Sequence, residues 1–142
     1  MASDPLVRTG DAVGQATARK DTYCAVLAVS LAFYLALGVF ALAAPMALSD
    51  ILRRPTADDV GWIRLFGALC LMQIIFYLPG YQNPLRSRYP NVAGVLVRSV
   101  MGLVWIVLGG GFIVVGVVEL VFALVLGTLF LGWVKAEIMS RP

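Results

Sequence analysis

Two residues whose chemistry stands out are Arg98 and Glu119, the only charges in residues 92–134. An ionisable group inside an apolar segment is costly to place in lipid and usually faces protein or water. Such a pair suits an ion pair, a proton site or a ligand site. The plainer alternative is structural. Arg98 then snorkels to the nearer headgroups, and Glu119 sits at the far interface.

A second set of polar side chains shares this apolar context. Cys70, Gln73 and Tyr77 recur at i, i+3 and i+7, which places them on one helix face. Ser30 and Tyr34 lie in an earlier apolar run. With Glu119 they could line a polar pocket, where an amide and two phenols suit a quinone or a lipid headgroup. The competing reading is hydrogen bonding between helices, worth about 0.6 kcal/mol each in membranes.

Other chemistries are excluded or unsupported. The chain has no histidine, so bis-histidine haem, the usual histidine-containing zinc or copper sites and a Ser-His-Asp triad are beyond this chain alone. Cys24 and Cys70 are isolated, which makes no metal signature and no disulfide framework. Gly109-Gly110-Gly111 follows no strand and lacks the GxGxxG spacing of a nucleotide loop. No metal, cofactor or nucleic-acid partner is expected.

The elements that carry these residues follow from composition. Of 142 residues 61% are apolar and 13% charged, and the mean hydropathy is +0.90. A soluble domain has roughly 45–50% apolar and about 25% charged residues. So small a chain cannot bury that excess against itself. The expectation is an all-α membrane protein, a bundle of four transmembrane helices.

Residues 1–22 are polar and read as a loose tail. No charge occurs between Asp21 and Asp50, so a first helix is expected over about 23–48. That run is too long for a signal peptide, although Ala41-Leu42-Ala43 resembles a cleavage site. Thr56 as N-cap, with Asp58 and Asp59 in the first turn, starts a second helix over about 57–78. Pro79-Gly80 is expected to stop it, and Pro84 and Pro90 to keep the next segment irregular. Residues 92–134 exceed one span and must turn back. Gly109-Gly110-Gly111 is the better turn and Gly116 the alternative, which gives helices over about 92–108 and 112–134. Residues 135–142 form a short second tail.

The turn decides whether the charges meet. With the turn at Gly109–Gly111, Arg98 lies about 18 Å from it and Glu119 about 12 Å, at about 1.5 Å per residue. An arginine side chain covers the difference. With the turn near Gly116 the pair cannot form.

Orientation follows from the cations. Arg8, Arg19, Lys20, Arg86, Arg88, Arg98, Lys135 and Arg141 fall on one side, and Arg53, Arg54 and Arg64 on the other, eight against three. The richer side is expected to be cytoplasmic, with both termini inside. Tyr23, Trp62, Tyr77, Tyr81, Tyr89 and Trp133 lie near span ends and read as an interfacial belt; Trp105 lies deeper. Small residues four apart mark contact faces: Ala28, Ala32 and Ala36; Gly94 and Gly102 flanking Arg98; Ala123 and Gly127 following Glu119. They serve internal packing or a partner subunit.

The segment Asn83-Pro84-Leu85-Arg86-Ser87-Arg88 after a second span, followed by Arg98, resembles a bacterial family of small four-span proteins of unknown function, loosely DoxX-like. Glu119-Leu120 is similar to the acid that often begins the fourth span there. The resemblance implies a four-span fold in a bacterial inner membrane. Some members are linked to quinone-coupled sulfur oxidation, but no specific catalytic residue carries over.

Three functions compete on these grounds. The first is a non-catalytic accessory or assembly subunit packed against a larger membrane complex, or a homo-oligomer. The second is a small transporter using Glu119 and Arg98. The third is a protein that acts on or binds a quinone or lipid.

Overall fold

The computed structural model describes residues 5–52, 60–82 and 88–140. These form five helices: α1 (Pro5–Ala43), α2 (Pro45–Ile51), α3 (Val60–Gln82), α4 (Arg88–Leu108) and α5 (Phe112–Ser140). Four of them are long and apolar enough to cross a membrane. The chain is an all-α integral membrane protein. Large apolar side chains such as Met72, Ile75, Val107 and Leu124 point outward, as expected where lipid replaces water as the surrounding solvent. The Thr56 cap, Asp58, Asp59, Arg53 and Arg54 lie outside the described residues.

Several boundaries differ from the sequence expectation, each for a physical reason. The helix expected over 23–48 is two helices. Pro45 has no N–H to bond Ala41, and its ring drives Ala44 out of helical backbone, to φ −134° and ψ 60°. Residues 5–22 are helical rather than loose. Ala16 is buried, and Arg19 Nη1 donates to the Gly132 carbonyl at 2.8 Å, so this segment packs on the far end of α5. Pro79 does not stop α3, which runs to Gln82. Transmembrane helices tolerate an internal proline because neighbouring groups satisfy the freed carbonyl. Pro90 sits in the first turn of α4, where a missing N–H leaves no bond unmade.

The last two helices reverse at Gly109–Gly111. Gly109 and Gly110 take φ +73° and +59°, the left-handed region that side chains with a Cβ avoid. Gly111 donates its N–H to the Leu52 carbonyl at 3.0 Å, and a Cβ there would fall 2.5 Å from the Leu52 Cα. The turn is thereby locked to the end of α2.

The spans pack as two hairpins, α1 with α3 and α4 with α5, joined mainly through α1 and α5. Each hairpin crosses at a glycine pair. A Cβ on Gly67 would sit 2.9 Å from the Gly38 carbonyl oxygen, and a Cβ on Gly116 would sit 2.6 Å from that of Gly102. Close backbone approach of this kind holds helices together where no hydrophobic force separates protein from lipid. α3 and α4 touch over only a short stretch, at the end where Asn91 Nδ2 reaches the Gly80 carbonyl. Beyond it they part, and a cleft opens between them.

The aromatic belt is corrected in part. Trp62, Tyr81 and Tyr89 are exposed, but Tyr23, Tyr77 and Trp133 are buried. Tyr23 and Trp133 stack at 6.1 Å and join α1 to α5.

Candidate functional site

Arg98 lies near the middle of its span, Tyr89–Leu108, and is 0% exposed. It does not snorkel. Three side chains from two other helices meet its guanidinium. Nε donates to Tyr77 Oη at 2.9 Å, Nη1 to Tyr34 Oη at 2.8 Å and Nη2 to Ser30 Oγ at 3.1 Å. Ser30 passes its own proton to the Leu27 carbonyl at 2.8 Å. The guanidinium carbon also lies 4.6 Å from the Tyr34 ring centre and 4.8 Å from that of Tyr77. A cation so placed gains from both ring faces as well as from both hydroxyls.

Glu119 supplies the counter-charge. Its Oε2 stands 3.6 Å from Arg98 Nη1, and the residue is 3% exposed. The Tyr34 hydroxyl hydrogen-bonds the Glu119 carboxyl group as well as receiving Arg98. Tyr34 therefore bridges cation and anion. Oε2 itself takes no hydrogen bond from the described residues.

Local sequence makes room for this arrangement. Gly94 lies one helical turn before Arg98, and a Cβ there would overlap the Tyr77 ring at 2.2 Å. Only a glycine lets the phenol lie flat against α4 and reach Arg98.

The cleft between α3 and α4 ends on this centre. Its inner part is a cavity of about 370 Å³, walled by Cys70, Gln73 and Tyr77 of α3 and by Gly94 and Met101 of α4, with Tyr34 and Glu119 reaching it from behind. Gln73 Oε1 is buried there without a hydrogen-bond partner. A second cavity, of about 540 Å³, continues toward Trp62 and Leu108 and shares Phe66, Leu69 and Trp105 with the first. Ser49 Oγ, from α2, is buried at that end, also without a partner. Exposed Leu69, Met72 and Val97 line the inner part, so the cleft opens sideways toward lipid. Arg98 stands behind the wall; Glu119, Tyr34 and Tyr77 face the space.

The structure thus gathers Arg98, Glu119, Tyr34, Tyr77 and Gln73 at one place. It treats the small-residue rows unequally. Gly94, Gly102 and Ala123 are buried, and Gly127 meets only Val95 at 3.4 Å. Ala28 is half-buried, while Ala32 and Ala36 are exposed, so the α1 row is not an internal face. The buried face of α1 runs instead through Tyr23, Leu27, Ser30, Tyr34 and Ala41. Trp105 stacks on Phe112 at 5.2 Å as a packing residue and also lines both cavities. Cys70 and Cys24 are free thiols.

Comparison with family models, with curated proteins and with solved structures finds no match for this chain. Its function is therefore argued from the site alone.

Proposed function

We propose that this chain is a non-catalytic membrane protein of the bacterial inner membrane that holds a lipid- or quinol-like molecule in the α3–α4 cleft. The molecule's polar head meets Glu119 and Gln73, and its apolar body lies along Phe66, Leu69 and Trp105. The observation that carries this reading is Glu119 Oε2, buried at the cleft floor: it faces Arg98 Nη1 at 3.6 Å but accepts no hydrogen bond from the described residues. A buried acceptor left unsatisfied costs about 1–3 kcal/mol, more when charged, and a head entering from lipid removes that cost. The termini are read as cytoplasmic. With Arg98 buried inside the bundle the cation bias becomes seven against three (eight less Arg98), which still favours that orientation.

The test is native mass spectrometry of the protein released from mild detergent, with identification of any retained small molecule. Wild type is expected to carry one molecule per chain, and Leu69→Trp, which fills the space shared by both cavities, to lose at least about 90% of it, or tenfold in affinity. Empty wild-type protein that also takes up no added lipid or quinol would sink the reading.

The outward row of Ala32 and Ala36 favours a second role, as an accessory or assembly subunit. Small residues facing lipid let a partner helix approach closely. Cysteine at Ala32 is expected to cross-link in native membranes to a second polypeptide, and at Val107, on the 86% exposed face of α4, to give none. Equal cross-linking at both positions would remove this role.

A further inference from the structure

The two orphaned atoms of the inner cavity share one chemistry. Glu119 Oε2 and Gln73 Oε1 are both acceptors, and neither accepts a hydrogen bond from the described residues. Both border the same cavity of about 370 Å³. A ligand head that only accepts, such as a carbonyl, an ether or an ester, can take a proton from the Gln73 amide nitrogen but leaves both oxygens unsatisfied. A head that donates satisfies them.

Charge narrows the choice further. An arginine guanidinium keeps its proton inside proteins, and the acid beside Arg98 is Glu119 at 3.6 Å. Together they are neutral. A phosphate, carboxylate or ammonium head would add an unmatched charge near the middle of the span, where ionic groups are excluded. The head must be a neutral donor.

We infer that the cleft selects a hydroxyl-headed apolar molecule, a long-chain alcohol or phenol, over its carbonyl, ether and phosphorylated counterparts. This rests on the cleft-binding reading above and names its ligand class. The hydroxyl gives its proton to Glu119 Oε2 or Gln73 Oε1. The chain lies along Leu69 and Trp105 and reaches the second cavity of about 540 Å³. Size supports the assignment: the inner cavity holds a head and the first part of a chain, and its continuation past Trp105 takes the rest.

The experiment measures binding of farnesol, its methyl ether and its monophosphate to the purified full chain in lipid nanodiscs, read by tryptophan fluorescence. A Trp105→Phe variant serves to assign the signal to the cleft. Farnesol is expected to bind about tenfold or more tighter than the ether, because a hydrogen bond to a charged acceptor is lost with the hydroxyl proton. The monophosphate is expected to bind weaker still. Gln73→Leu keeps the ion pair and should shrink the alcohol-over-ether ratio. Glu119→Gln should shrink it more; should that variant not fold, Gln73→Leu alone carries the test. Equal binding of alcohol and ether, both lost in Leu69→Trp, overturns the donor-head inference and leaves cleft binding standing. Tighter binding of the monophosphate overturns the neutrality argument and with it the inference. Failure of all three probes to bind overturns the inference and counts against the cleft reading too.

Discussion

Glu119→Leu is expected to destabilise the bundle by about 3–5 kcal/mol, the range for breaking a buried ion pair from one side. It should be the costlier half to remove. Without Glu119, the Arg98 guanidinium stays charged and fully buried, since it cannot shed its proton. Without Arg98, the Glu119 carboxylate can take up a proton and become neutral. Arg98→Met also takes a donor away from the Tyr34, Tyr77 and Ser30 hydroxyl oxygens, but these are neutral acceptors, and leaving one empty costs less than leaving a charge buried alone. The double variant Arg98→Met/Glu119→Leu removes both charges and should be more stable than Glu119→Leu alone. Unfolding in mixed micelles, followed by circular dichroism, gives all four corners of this cycle. Simple additivity of the two single losses would falsify the ion-pair account and leave Arg98 as a hydrogen-bond hub whose partner charge is incidental.

The second large effect lies at the helix crossing. Gly116→Ala should cost about 1–3 kcal/mol, as overpacking does where nothing flexible can yield. The added Cβ would meet the Gly102 carbonyl oxygen at 2.6 Å and the Ile106 nitrogen at 3.0 Å, both backbone atoms. α4 and α5 must then move apart, which also shifts Arg98 against Glu119. Gly116→Leu should prevent the hairpin from forming. Gly127→Ala, in the same helix, is the control. Its nearest neighbour is a Val95 methyl at 3.4 Å, an ordinary contact, so the change should be neutral or slightly stabilising. Thermal unfolding of the purified variants distinguishes them, and a harmless Gly116→Ala would mean that the two backbones do not approach as described.

This contrast shows where sequence reading reached its limit. Gly127 sits in a small-residue row with Ala123 and reads as a packing position, while Gly116 reads as a candidate turn. In the structure the turn belongs to Gly109–Gly111, and Gly116 is a crossing point. Both uses need the absence of a Cβ, one for positive φ and one for close approach, so composition alone does not separate them. Pro45 is the opposite case. A proline after a long apolar helix is a readable boundary, yet the expected helix over 23–48 runs through it, and the chain breaks there. Pro79 is read by the same rule and does not obey it: α3 runs on to Gln82, as membrane helices tolerate an internal proline.

The sequence by itself determined the solvent of this protein and the number of apolar spans; the heights of Arg98 and Glu119 followed only once the turn stood at Gly109–Gly111. Apolar fraction, run length and a rise per residue are one-dimensional quantities, and the chain states them directly. Only the tertiary structure decided which way each helix faces. A soluble helix announces its inner face by an apolar stripe, but a membrane helix is apolar all round and gives no such sign. That is why Ala32 and Ala36 turn out to face outward, and why Tyr77 and Tyr34 close on one guanidinium rather than on the headgroups. Cys70, Gln73 and Tyr77 could be read onto one face and joined with Tyr34 and Glu119 as a polar pocket, but its opening as a cleft between α3 and α4 could not. A gap between two helices belongs to neither sequence segment; it exists because α3 and α4 meet at Gly80 and Asn91 and then diverge.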